Sequence, residues 1–280
     1  LYKSPSMRYR ASSIGLTALF FLAVISPVFG IESVRGAGPL DQWLDPPDGY
    51  CTANPKGQAA DASVYAYQQT ALGQVGYLAA MMMLCSELEA LRGGRLETLS
   101  RYGLIIFPYS DGRMIRLSEW SRSDLLNTAI EESSNIELTE AFRESKRDAE
   151  RGGYQLDMED PRYLGVLVKD NNAVYFGIDD PKGAAKPHGI GSAVTATTLL
   201  RNHVVNVTFY SNSSGEEEIS SLLEIQRPFV DRLVREYPSS FIDIDRFGFI
   251  GQVDWSRVLI GVMIGGLIGA IIGIVRRRVI

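Results

Sequence analysis

The feature that most constrains this chain is an unbroken run of 18 residues without a charge, Val258 to Val275, near the C-terminal end of the sequence. A helix of that length reaches roughly 27 Å at 1.5 Å per residue, close to the ~30 Å hydrocarbon core of a bilayer. Arg276, Arg277 and Arg278 follow at once, whereas the other flank carries Asp254, Trp255, Ser256 and Arg257. The basic cluster is expected to stay in the cytoplasm, with Trp255 at the opposite interface. Inside the run, Gly261, Gly265, Gly269 and Gly273 fall at every fourth position. That spacing lines one helical face and permits close backbone approach, a geometry by which membrane helices pack on one another. Glycine is also common in such helices without any partner, but four in register favour a meeting surface, for a second copy or for another membrane protein.

The opposite end carries an export pattern. Met7 reads as the start, with Leu1 to Ser6 upstream of it; Arg8 and Arg10 form a basic n-region, "IGLTALFFLAVI" (Ile14 to Ile25) an apolar h-region, and "VFG" (Val28 to Gly30) a small-residue cleavage site. Whether the segment is cleaved near Ile31 or kept as an anchor, the residues between the two apolar stretches are expected outside the cytoplasm. In a bacterium that is the periplasmic side.

This placement changes the charge balance. The whole chain has a formal net charge of −5, but Lys3, Arg8, Arg10 and the three terminal arginines fall outside the exported part. That leaves 22 of the 28 basic residues against all 33 acidic ones, a balance of −11. Such a surface repels a phosphate backbone, so nucleic acid is excluded as a partner. The only cysteines, Cys51 and Cys85, are exported together; they can pair and pin the N-terminal segment to the domain, or remain two thiols, since sequence does not give their separation.

The pattern predicts an α+β domain with an antiparallel sheet and flanking helices. Its expected division is residues 1–30 upstream and signal, 31–61 a loosely ordered lead-in, 62–238 the exported domain, 239–257 a tether, 258–275 the transmembrane helix and 276–280 a basic tail. "GYLAAMMML" (Gly76 to Leu84) reads as a strand, in preference to one continuous helix from Ala62. Ser86 and Glu89 then form a capping box for a helix ending at Gly93 and Gly94. Met81, Met82 and Met83 suit core filling better than a metal or a promiscuous surface. "YGLIIFPY" (Tyr102 to Tyr109) predicts a strand ended by Pro108, with Ser110, Asp111 and Gly112 as its turn. Leu125, Leu126 and Ile130 are spaced for a helix that breaks at Ser133 to Asn135, and a second, largely solvated helix runs to Gly152.

The β signal that follows is the clearest. Tyr163 to Asp170, with Leu164, Val166 and Val168 on one face, and Ala173 to Ile178, with Val174, Phe176 and Ile178 on one face, form a hairpin turning at Asp170, Asn171 and Asn172. Ser192 to Arg201 and Val204 to Ser211 form a second, turning at Asn202 and His203, and "DDPKGAAKPHGIG" between the hairpins reads as an exposed loop. The domain closes on a long helix introduced by a capping box, Ser214 to Glu217. Its stripe is Ile219, Leu222, Leu223, Phe229, Val230, Leu233, Val234 and Tyr237, with Pro228 a site for a kink and Pro238 its stop.

Two hairpins followed by "FYSNSSGEEEISSLLEIQRPFVDRLVREYP" resemble the C-terminal half of the Mog1/PsbP-like α/β/α sandwich, and uncharacterised bacterial exported proteins of that shape. The resemblance covers Tyr163 to Pro238 and rests on element order, not on an invariant motif. It implies a binding or assembly factor with no shared active site, so no functional residue carries over. The fused transmembrane helix departs from the soluble members.

Reactive chemistry finds little footing. The two histidines, His188 in a loop and His203 in a tight turn, are not followed by a nucleophile motif, and G-x-S-x-G, P-loop, H-E-x-x-H and C-x-x-C patterns do not occur. Carboxylates gather at Asp157 to Pro161, Asp179 to Gly183 and Asp243 to Phe247, without the alternation of a calcium loop, and solvated turns account for them better than metal. No catalytic, cofactor or metal residue is assigned. Asn206-Val-Thr208 and Asn212-Ser-Ser214 match the glycosylation pattern, which has meaning in a eukaryotic secretory pathway. The expectation is therefore a single-pass membrane protein with a non-catalytic binding or assembly domain outside the cytoplasm. A subunit of a membrane transport or envelope complex, and an enzyme of unrecognised chemistry, are the alternatives.

Overall fold

The computed structural model describes residues 44–72, 76–96, 98–110, 112–135, 161–187 and 189–239. Outside these lie the signal segment, the second helix expected before Gly152, His188, the tether beyond Ser239, the four zipper glycines and the terminal arginines. Among the described residues no helix is long and apolar enough to cross a membrane.

The elements in order are β1 (Tyr50–Thr52), α1 (Ala59–Leu72), β2 (Gly76–Leu84), α2 (Cys85–Arg92), β3 (Arg101–Ser110), β4 (Arg113–Met114), α3 (Arg122–Asn135), β5 (Arg162–Lys169), β6 (Val174–Asp179), α4 (Pro181–Ala184), β7 (Ser192–Leu200), β8 (His203–Ser211) and α5 (Glu216–Glu236). Seven strands form one antiparallel sheet in the order β1-β2-β3-β8-β7-β6-β5, with β4 paired to the end of β3. After β3 the chain crosses to the far edge and meanders back through β5 to β8, which pairs with β3, Leu104 opposite Thr208. Helices lie on both faces. Leu72 and Val64 of α1, Leu88 of α2 and Leu126 and Ala129 of α3 share one cluster with Phe176, Leu104 and Tyr210; on the other side Leu222, Phe229 and Leu233 of α5 pack on Tyr175, Val194, Val207 and Phe209. The α+β class with an antiparallel sheet and flanking helices is thus the architecture.

The methionine run alternates as a strand must. Met81 and Met83 enter the first cluster and Met82 the second, all fully buried. Strand β2 then runs straight into α2 without the expected capping box: the residue before the helix is Leu84, no side chain caps it, and the amide of Cys85 donates to the carbonyl of Gly49 at 2.9 Å. The β1–β2 pairing claims the start of the helix, so Ser86 is already inside it. Its end follows expectation: Gly94 has φ +65°, its amide donates to Leu91, and that of Arg95 reaches back to Ala90, a Schellman closure.

Several expectations are corrected. The segment 31–61 is not loose at its C-terminal end, because Tyr50–Thr52 is the sheet's edge strand and α1 begins at Ala59. Pro108 does not end β3; it lies within the strand opposite Gly76, and its carbonyl accepts from Ile115. Strand β5 slips register between Tyr163 and Gly165 and again between Val166 and Val168, so the even face is broken and Val166 is the one exposed large hydrophobe among the described residues. The second hairpin turns at Arg201 and Asn202, both with positive φ, and His203 opens β8. Before α5, Gly215 (φ +108°) takes the cap position without a side-chain bond, so the Ser214 box does not form either. The helix continues unbroken past Pro228, which occupies an exposed position.

Candidate functional site

Charged and hydroxyl side chains collect in one row across the sheet. Arg162 of β5 faces Asp179 of β6, Asp179 faces Ser192 of β7, Ser192 faces Ser211 of β8, and Ser211 faces Arg101 of β3. Directly paired residues of antiparallel strands share a face, and the alternation with Tyr175, Val194, Phe209 and Ile105 puts the row on the side that α5 covers. It ends beneath the N-terminus of that helix.

Each charge in the row is answered. Asp179 is buried; its Oδ2 accepts from Arg162 Nη2 at 3.0 Å and its Oδ1 from the amide of Gly215 at 2.8 Å, so a carboxylate from β6 takes the place of the missing helix cap. Arg101 pairs with Glu218 in the first turn of α5 at 2.9 Å. Ser211 Oγ accepts from the amide of Ser213. Ser192 Oγ, fully buried, has no hydrogen-bond partner among the described residues. Its cross-strand neighbours among the described residues, Asp179 and Ser211, are engaged elsewhere. The row docks α5 onto the sheet.

The neighbouring segment, expected as an exposed loop, is largely built in. Asp180 is buried and its Oδ1 caps α4 by accepting from the amide of Gly183; Ile190 and Gly191 are buried as well. A Cβ on Gly183 would stand 2.2 Å from the Ile190 carbonyl oxygen, and one on Gly191 2.5 Å from the Ser213 backbone. The two loops are packed backbone to backbone, which only glycine permits.

The opposite face carries a second buried polar group at its centre. Thr195 and Thr208 share a hydrogen bond at 2.9 Å, and Thr197 donates to Asn206 at 2.9 Å, within surroundings that include Phe176 and Leu104. Asn206 is therefore a core residue, whereas Asn212, in the loop before α5, is half-buried.

The cysteines are joined: Cys51 of β1 and Cys85 at the start of α2 form a disulfide, with Cα atoms 4.8 Å apart. His203 donates from Nδ1 to the Arg201 carbonyl at 3.0 Å and meets the Phe107 ring edge-on at 6.0 Å; burial lowers its pKa, which keeps the ring neutral at pH 7. Among the described residues no group of three His, Cys, Asp or Glu side chains could hold a metal ion. Of the carboxylate groups read in the sequence, Asp179 and Asp180 are described, and both are buried rather than solvated. Gly261, Gly265, Gly269, Gly273, Arg276, Arg277 and Arg278 lie outside the described residues. Arg101, Arg162 and Ser192 did not emerge from sequence reading; register counted outward from a correctly placed Arg201–Asn202 turn would have aligned Ser192 with Ser211. No family model, curated protein or solved structure matches the chain.

Proposed function

We propose that this chain is a single-pass membrane protein whose α+β domain lies outside the cytoplasm as a binding or assembly module. In this reading the face formed by Gly261, Gly265, Gly269 and Gly273 associates with a second membrane helix. The observation that carries it is the Cys51–Cys85 disulfide, because cystine persists in oxidising compartments and is rare in the cytosol. It agrees with the export pattern at Met7 to Gly30 and with the arginines after Val275, which favour a cytoplasmic tail. The domain's polar rows serve as internal fastenings, which suits a scaffold for recognition better than a reaction centre.

The test is crosslinking in the membrane with mass spectrometry, on the native chain and on Gly265→Leu with Gly269→Leu. The expected result is a specific product, with self or with a foreign membrane protein, that the double variant loses. Identical crosslinks in both would reduce the segment to an anchor and remove the association claim.

A further inference from the structure

The end of the domain from which the C-terminal chain departs is fixed by hydrogen bonds. Helix α5 finishes at Glu236, and Ser239 is tied to the β7–β8 turn: its hydroxyl donates to the Leu199 carbonyl at 3.0 Å and accepts from the Asn202 amide at 3.3 Å. The same turn gathers the stretch from β4 to α3. The Leu117 amide donates to Asn202, that of Val204 to Ile115, Arg116 bridges His203, and Arg122 Nη2 donates to Leu199 at 3.2 Å.

Four arginines lie on the segments gathered at this turn. Arg113, Arg116 and Arg201 are exposed, and Arg201 lies over the Tyr237 ring at 5.0 Å. Arg122 is half-buried; its one hydrogen bond goes to a neutral carbonyl, its Nε has none, and no described carboxylate forms a salt bridge with it. Burial lowers its pKa, the direction expected of a partly desolvated cation. The acids nearby are Glu119, which is exposed, Glu236 and Asp45, exposed and close enough to act on the Tyr237 ring beneath Arg201, and Asp124, whose carboxylate is held by the Ser121 amide and hydroxyl; Asp111 falls outside the described residues. At the far end of the sheet Glu216, Glu217 and Glu218 open α5, and the arginines there are ion-paired, Arg101 with Glu218 and Arg162 with Asp179. In an exported part of net charge −11, cations are thus grouped where the chain leaves for the apolar run.

We propose that this end of the domain rests on the anionic headgroups of the bilayer, with Arg113, Arg116, Arg122 and Arg201 as the contact and Trp120 at its margin. The proposal rests on the membrane-anchored reading and adds an orientation to it. A lipid phosphate supplies the counter-charge that Arg122 lacks, and arginine suits it because its planar donors match phosphate oxygens in pairs. Half-buried Trp120 packs beside Leu117 and Leu125, and tryptophan is a residue type enriched at membrane interfaces.

The full chain is reconstituted in vesicles of phosphatidylcholine alone or with phosphatidylglycerol, after Trp43→Phe and Trp255→Phe leave Trp120 as the only tryptophan. Quenching of its fluorescence by bilayer-borne brominated lipid is read, and alkaline carbonate extraction is run in parallel. The expected result is quenching that is strong with the anionic lipid at low salt, lost in 1 M salt, and lost when Arg113→Glu, Arg116→Glu and Arg201→Asn are combined. Equal quenching in neutral and anionic vesicles, or none in either, overturns the docking while carbonate resistance leaves the anchor standing. Release into carbonate overturns the anchor itself.

Discussion

Arg92 grips the fully buried carboxylate of Asp61 with two hydrogen bonds, Nε to Oδ1 at 2.9 Å and Nη2 to Oδ2 at 2.7 Å, while the Asn54 amide donates to the same Oδ2 at 3.0 Å. One side chain thereby joins α1, α2 and the strand end after β1. Because Arg92 is one-third exposed, the pair is worth less than a fully buried one; removing it with Arg92→Ala is expected to cost about 2 kcal/mol in urea unfolding.

The same contact sets a pH dependence. The hydrogen bonds from Arg92, and secondarily from Asn54, hold the Asp61 carboxyl below the usual carboxylate range. A depressed folded pKa means that the unfolded chain binds the proton more tightly. The stabilisation is therefore complete above roughly pH 5 and is lost as pH falls through about 4 toward the folded value. Urea midpoints at pH 7 and pH 3 should differ more for the native chain than for Asp61→Asn; equal differences would remove this residue from the acid response.

The disulfide closes a separation of 34 residues. Chain-entropy arguments assign about 3–4 kcal/mol to a loop of that length. Reductant should lower the urea midpoint of the native chain accordingly and leave Cys51→Ala with Cys85→Ala unchanged. An unchanged native midpoint would show that Tyr50, buried against Phe209 with rings 5.4 Å apart, holds β1 without the covalent link.

Gln226 is the polar residue buried in the apolar face of α5, where its Nε2 donates to the Val194 carbonyl at 3.1 Å and the Val207 carbonyl at 2.5 Å. Gln226→Leu exchanges these bonds for apolar contact and should cost about 1 kcal/mol. Gln226→Glu places a carboxylate against two carbonyl oxygens and should cost about 3 kcal/mol or more. Thermal unfolding of the two variants checks the order, and an equal loss in both would contradict it.

How much of this was legible depends on whether burial and polarity agree. The second hairpin and α5 declared themselves because apolar residues occupy the buried positions. Helix α1 did not: its inward positions are Asp61, Val64, Gln68 and Leu72, correct for a helical face but half polar. The capping boxes at Ser86 and Ser214 failed because partners distant in sequence moved the helix starts: Cys85, its amide bound to the Gly49 carbonyl, already opens α2, and Gly215, its amide bound to the Asp179 carboxylate, takes the cap position of α5. Ser121 and Asp124, lacking such competition, do form one. The row from Arg162 to Arg101 was invisible for a geometric reason: moving a two-residue turn by one position shifts every cross-strand partner by two.

Gly191, in the loop before β7, and Gly112, in the turn between β3 and β4, offer a sharp contrast in thermal unfolding. Gly191→Ala drives a methyl into the Ser213 backbone and should destabilise by about 2 kcal/mol or more, whereas Gly112→Ala meets open space and bears only the strain of φ +74°, about 1 kcal/mol.

The most direct measurement asks which side of the membrane the domain occupies. Asn212 heads an Asn-Ser-Ser pattern in a half-exposed loop, and glycan transfer to that pattern occurs within the secretory pathway. The full chain is synthesised with eukaryotic secretory membranes, extracted with alkaline carbonate and treated with N-glycosidase. The expected product resists carbonate and carries a mobility shift that the glycosidase removes and Asn212→Gln lacks. A carbonate-resistant product without that shift would place the domain on the cytoplasmic side, and a carbonate-soluble one would deny the anchor; either contradicts an exported, membrane-tethered domain.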